Sequence, residues 1–168
     1  MPAATLLEAE PLSAAAFAPF GHVIETAGHQ PRFINENTCE RFDDLAPIDI
    51  VADGSRPMIS IFKAMPRALP HEVRTLERHP LSSQAFYPLG ERPFLVVVAY
   101  ESGHNSPEQI RAFRAAGNQG VSYHRNTWHH ALLALGVVSQ FLVIDRSGPG
   151  ANCDQHQLET PILVTTTA

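Results

Sequence analysis

Histidine, arginine and tryptophan crowd into one short stretch of this chain, Tyr123-His124-Arg125-Asn126-Thr127-Trp128-His129-His130. It holds three of the nine histidines and the only tryptophan. Imidazoles bind metal ions or move protons near neutral pH. An arginine beside them can hold a carboxylate through a two-pronged hydrogen bond. Well upstream, Glu77-Arg78-His79-Pro80-Leu81-Ser82-Ser83-Gln84 supplies a second set of such groups. Two polar clusters in an otherwise apolar chain point to one site built from two distant strands.

The elements must then bring those clusters together. Side chains at i and i+2 share one face of a strand. Glu77 and His79 therefore point the same way, with Val73 and Thr75. Gln84 lies beyond the Pro80 to Ser83 turn. His129 and His130 are neighbours and should face opposite sides. If His129 faces in, so do Thr127, Ala131, Leu133 and Leu135, while His130 shares its face with Trp128 and Leu132. A site of Glu77, His79, Gln84, His124 and His129 follows, with the histidines and Glu77 as proton-moving groups and all five as candidate metal ligands. Singly, each has a plainer role: a lone strand histidine is ordinarily a hydrogen-bonded packing residue, and Glu77 could be half of a surface ion pair with Arg78. Co-occurrence favours a site, because buried polar groups without partners cost stability. His22, His29, His71, His104 and His156 have no such company and read as structural or exposed.

Most of the chain reads as strands: His22 to Thr26, Arg32 to Asn35, Met58 to Ala64, Val73 to His79, Gln84 to Tyr87, Phe94 to Tyr100, Val121 to Arg125, Thr127 to Leu135, Ser139 to Asp145 and Pro161 to Thr166. Phe94 to Tyr100 is continuously apolar, as a strand buried on both faces is. Fourteen prolines and ten glycines break these runs at short intervals, as in a β-sandwich or barrel. Ser13 caps a short helix to about Pro19, ended by Gly21. Ser106-Pro107-Glu108-Gln109 has the order of a helix start, Ile110, Phe113 and Arg114 follow at helical spacing, and Gly117 gives a stop, so a second helix is expected from Pro107 to Ala116. The tail after Ser147 reads as irregular, covering an edge or a partner subunit.

Bulk properties bound the answer. At 168 residues and 44% hydrophobic, the chain suits a single domain over residues 1–168 with one core. Its net charge of −5 argues against a nucleic-acid surface. A charged fraction of 17% is low enough to suggest surface buried in an oligomer. The first twenty residues lack the positive start of a secretory peptide, and no apolar run is long enough to span a bilayer. Cys39 and Cys153 read as free thiols of a cytoplasmic protein.

The polar spacings resemble those of cupins. Their first motif runs His-x-His-x3-4-Glu-x6-Gly, and here Glu77-x-His79-x4-Gln84-x5-Gly90 stands in its place. Their second ends Pro-x-Gly-x2-His, and here His124-x-Asn126-x2-His129 does. A closer likeness is carried by Glu77-Arg78-His79-Pro80-Leu81 with Gln84-Ala85-Phe86, by Gly120 through His130, by Ile144-Asp145-Arg146 and by Asn152-Cys153-Asp154. These segments, with the Phe20 to Thr26 stretch, resemble the ureidoglycolate lyase family, formerly called ureidoglycolate hydrolases. The resemblance runs from about Leu12 to Asp154. It implies a cupin-like antiparallel β-barrel with a few short helices, a homodimer, and release of urea and glyoxylate from (S)-ureidoglycolate in allantoin breakdown. It also implies a divalent metal, usually nickel, and no organic cofactor.

That substrate is a hemiaminal, with a hydroxyl, a carboxylate and a ureido nitrogen on one carbon. Elimination needs a base for the hydroxyl proton, a proton or polarising group for the departing nitrogen, and a cation for the carboxylate. Arg125 is the first candidate cation and Arg146 the second. Strand alternation turns Arg125 away from His124 unless Asn126 breaks the strand as a turn residue. Lys63 is a third candidate, though it reads first as a solvated strand-end lysine. Gln84 or Asn126 would meet the ureido group. The competing reading is a non-catalytic cupin that senses a small acidic metabolite. Another metal-cupin activity is the third; an oxygenase would want an acid where Gln84 stands.

Overall fold

The computed structural model describes residues 5–51 and 53–167. They form sixteen strands and one short helix. The first half contains β1 (Thr5–Glu8), β2 (Glu10–Pro11), α1 (Ala14–Phe17), β3 (Gly21–Ile24), β4 (Arg32–Ile34), β5 (Cys39–Arg41), β6 (Arg56–Ala64), β7 (Pro66–Arg67) and β8 (His71–Arg78). The second contains β9 (Gln84–Pro88), β10 (Phe94–Glu101), β11 (Pro107–Ala115), β12 (Gly120–Tyr123), β13 (Trp128–His129), β14 (Leu133–Leu135), β15 (Ser139–Ser147) and β16 (Asp154–Thr165). One large sheet runs β1-β16-β8-β13-β10-β11-β2, with β14 and β7 attached through β10; a second runs β3-β12-β9-β15-β6; β4 and β5 pair as a separate two-stranded sheet. Most neighbours are antiparallel, and the whole is a barrel-like, cupin-like β fold.

β10 divides the molecule. Phe94, Val96 and Val98 enter a core between the two sheets, with Phe17, Phe20, Phe113, Val121 and Phe141. Leu95, Val97 and Ala99 enter a second core on the opposite face, with Val73, Leu76, Trp128 and Val164. The apolar run is therefore buried on both faces, as its composition requires. Ser13 caps α1, its hydroxyl oxygen accepting from the amide of Ala16 at 3.3 Å, but the helix has only four residues.

The helix expected from Pro107 to Ala116 is absent; those residues form β11, paired with β10 from Phe94↔Ala115 to Glu101↔Pro107. Ser106 does not cap a helix. Its hydroxyl meets that of Ser102 at 2.8 Å, and Ser102 N donates to Ser106 O, which closes a hairpin turn. Gln109 has φ +48°, and the pairing shifts register between Val98 and Tyr100. Beyond this irregularity the residues alternate as a strand does: Ile110 and Ala112 face one core while Phe113 and Ala115 face the other, so the helical spacing of Ile110 and Phe113 places them on opposite faces. Pairing along a doubly buried neighbour outweighs the local capping pattern. Gly117 permits a close approach instead of ending a helix, since a Cβ there would lie 2.0 Å from the carbonyl oxygen of Glu91.

Two further expectations change. The strand expected over Thr127 to Leu135 is split into β13 and β14, with His130 to Leu132 between them. The tail is not irregular after Asp154: β16 pairs with β8, with a register shift between Gln157 and Ile162, and runs parallel to β1. Its first half alternates between half-buried and exposed polar residues, so it carries little apolar signal.

Phe113 is fully buried and touches the rings of Phe17 and Phe20. Phe113→Ala should cost about 3–5 kcal/mol. Chemical denaturation should show a large fall in midpoint; a shift near zero would contradict its place in the core.

Candidate active site

The site is organised by β13. This two-residue strand lies between β8 and β10, with His129 opposite both Glu77 and Val98. His129 is buried; its Nδ1–H donates to Thr127 O at 2.8 Å, which leaves Nε2 as the lone-pair nitrogen. That atom is buried without a hydrogen-bond partner, 3.7 Å from Glu77 Oε1. The ring is stacked on Tyr123, centroids 4.2 Å apart and planes 14° apart, and lies 5.0 Å from the His79 ring. Burial pushes the His129 pKa down to about 3, and His79 and His130 push the same way; the hydrogen bond to Thr127 O offsets this only in part. Burial, with the Glu77 charge, pushes the Tyr123 phenol up, so it stays neutral.

His79 follows β8 and is held at both nitrogens. Nδ1 lies 2.6 Å from Asn152 O and Nε2 lies 3.0 Å from Gln84 Oε1. The amide nitrogen of Gln84 donates to Asp145 Oδ2 at 3.3 Å, which fixes the way the amide faces. Asp145 is not among the expected site residues, although Ile144-Asp145-Arg146 is part of the family likeness. The partner of Arg78 is not Glu77. Arg78 is buried against Trp128 and bridges Asp154 and Glu101.

Glu77, Gln84, Tyr123, His129, His130 and Lys63 line a cavity of about 420 Å³, with Phe62, Phe86 and Leu132 on its apolar wall. Among the described residues lining it, Lys63 is the sole lysine or arginine. His129 and His130 both line this cavity, contrary to the expected opposition. Strand alternation ends at His129, so it no longer dictates where His130 points.

The other expected site residues lie elsewhere. His124 is exposed, its Nε2–H donating to Ala18 O at 3.2 Å and its ring set edge-on to His22. With Arg125, Asn126 and Asp49 it lines a separate depression of about 290 Å³. Arg125 pairs with Asp49 at 3.4 Å. Asn126 does break the strand, at φ +68°, and its amide donates to His79 O. Arg146 donates to the carbonyl oxygens of Pro149 and Val51 and does not line the cavity. His124, Arg125, Asn126 and Arg146 are thus not brought to the Glu77–His129 cluster.

Comparison with known proteins fits this geometry. The family model described as ureidoglycolate lyase matches residues 4–165. The chain is 52% identical over 159 residues to a ureidoglycolate lyase of Burkholderia mallei (strain NCTC 10229), covering 95% of this chain and 93% of that one. It is 48% identical over 158 residues to one of Rhizobium etli (strain CIAT 652), covering 94% and 95%. It is 52% identical over 151 residues to one of Azotobacter vinelandii, covering 90% and 91%. The chain belongs to the ureidoglycolate lyase family.

Among the described residues one donor set fits a divalent metal. Glu77, His79 and His129 each offer one ligand atom, and these lie within 4.8 Å of one another. Two imidazoles and a carboxylate suit a first-row divalent ion. The buried, unpartnered Nε2 of His129 is the observation that supports the fit, since a neutral lone pair there needs a partner. Ligation by His79 Nε2 would require the Gln84 amide, now 3.0 Å away, to turn aside.

The low pKa of His129 has a consequence for stability. Between about 3 and 6.5 the unfolded ring binds a proton that the folded ring refuses. Stability should therefore fall as pH drops below 6.5, by at most about 1.4 kcal/mol per pH unit for this ring. His22, His71 and His130 are shifted in the same direction by burial. Urea midpoints of chelator-treated protein should be lower at pH 5 than at pH 7, and less so in His129→Gln. Parallel losses in both proteins would contradict this.

Proposed function

We propose that the protein is a ureidoglycolate lyase that splits (S)-ureidoglycolate into glyoxylate and urea in purine catabolism. The observation that carries this reading is the cavity that combines Glu77 and His129 with a single cation, Lys63. Lys63 anchors the substrate carboxylate, the role that sequence alone gave first to Arg125. Glu77 is the one carboxylate on the described cavity wall and acts as base: it takes the hydroxyl proton as the C–O bond becomes C=O and the C–N electron pair moves onto nitrogen. The oxygen and nitrogen share one carbon, so Glu77 can return the same proton to the departing nitrogen, and atoms and charge balance. Gln84 and the Tyr123 ring hold His79 and His129 in place, and the apolar wall limits water. Glu77, His79 and His129 would hold a divalent ion, nickel by family resemblance, and the carboxylate of Glu77 has a second oxygen with which to take the proton. When bound it supplies Lewis acidity that lowers the pKa of a nearby hydroxyl.

We further infer a homodimer, acting in the cytoplasm. β6 is the outer strand of its sheet and exposes Ile59 (71%) and Ile61 (55%). A long edge strand with apolar side chains is a template for pairing with a second chain. Among the described residues no helix is long and apolar enough to cross a membrane.

The decisive assay is urea and glyoxylate release from ureidoglycolate, with and without chelator, together with the metal content of wild type and His79→Ala. Glu77→Gln should lose about 10²-fold or more in kcat. Lys63→Ala should lose about ten- to a hundredfold in kcat/KM, mostly through KM, with partial recovery in Lys63→Arg. Arg125→Ala and Arg146→Ala should stay near wild type. Tight binding without turnover would favour a sensor instead. For assembly, Ile61→Lys should convert a dimer to a monomer in light scattering; an unchanged mass would place the interface elsewhere.

A further inference from the structure

We propose that His130 recognises the ureido end of the substrate, accepting a hydrogen bond from its terminal amino group. This deepens the lyase reading and rests on it. His130 lies between β13 and β14, where no ladder constrains its direction, and lines the cavity together with Leu132 and Lys63. Its orientation is nonetheless fixed. The backbone amide donates to Val97 O at 2.9 Å, and Nδ1–H donates to Ala131 O at 2.7 Å. The ring of His71 stands edge-on behind it, centroids 5.2 Å apart and planes 75° apart. With the proton held on Nδ1, the neutral ring presents Nε2 as an acceptor.

The remaining acceptors on the wall have other work. Glu77 serves the reacting carbon, Gln84 Oε1 faces His79, and His129 Nε2 faces Glu77. A terminal amino group carries two donors, and a cavity that tells it from a methyl group needs an acceptor not already engaged. The Tyr123 hydroxyl both donates and accepts and so discriminates poorly. Among the described side chains of the wall, His130 is the acceptor that remains, and His71 is its positioning residue.

The test compares ureidoglycolate with N-acetyl-α-hydroxyglycine, in which a methyl group replaces the terminal amino group. His130→Leu should lower kcat/KM on ureidoglycolate by at least about tenfold and on the acetyl compound by less than about threefold, because only the first loses a partner. His130→Gln places an amide oxygen near the position of Nε2 and should keep part of the preference. His130→Asn places it near Nδ1 and should lose it. These two polar variants keep the test valid if the leucine variant folds poorly. Equal losses on both substrates in all three variants, or an unchanged ratio, would overturn the assignment. A wild-type protein that releases no urea from ureidoglycolate would overturn the lyase reading and this inference with it. Full wild-type activity with no preference between the substrates would overturn this inference alone.

Discussion

The site depends on a two-residue strand. β13 is wedged between β8 and β10, and each of its side chains is fixed by that position. Trp128 goes to the outer core and His129 to the cavity. A wedge this short has little stability of its own, so it relies on β10, whose six residues from Phe94 to Ala99 are all buried. Local pairing of Trp128 with Ala99 and of His129 with Val98 converts that burial into the direction of one imidazole. The turn before the wedge contributes as well. Thr127 Oγ1 donates to Phe20 O, and its own carbonyl accepts from His129 Nδ1. The tautomer of His129 is therefore set by backbone geometry and needs no charged partner.

Burial then decides what that imidazole can do. A ring in water is a base near neutral pH; this one is held neutral far below that. Such a lone pair is poor at taking protons and good at ligating a cation, because ligation needs the neutral form. Glu77 is in the opposite position. It is partly open to the cavity and its nearest polar neighbours are a weakly donating thiol, Cys153 at 3.7 Å, and His129 at 3.7 Å. The two environments differ in the way the proposed roles require, a carboxylate open to the cavity beside imidazoles held in place.

Legibility from sequence followed the range of the forces involved. Phe94 to Tyr100 was readable because a doubly buried strand has an unmixed composition. The Glu77, His79 and Gln84 spacing was readable because β8 is regular up to the turn. Failure came where a local pattern competed with a distant partner. Ser106-Pro107-Glu108-Gln109 has the chemistry of a helix start, but the answer lay in β10, and no local rule reports it. Asn126 was recognisable as a turn residue, yet not that its turn would carry His124 and Arg125 to a different depression. Alternation puts His130 on the wrong face because the strand, and with it the alternation, ends at His129.

Lys63 shows why charge counting along a chain misleads about sites. Arg125 and Arg146 stand nearer to histidines and acidic residues in sequence, but partners brought in by the fold satisfy them. Arg125 meets Asp49, and Arg146 is taken up by backbone carbonyls. A guanidinium has five donors and is readily absorbed by a structure that needs them. Lys63 sits on an edge strand of mostly apolar residues, opposite Gln140, and forms no salt bridge among the described residues. It is exposed and lies among the residues that line the cavity. A cation without a structural partner beside a cluster of metal-type donors is a stronger pointer to an anionic substrate than a cation with many acidic neighbours, because the latter has already spent its interactions on the fold.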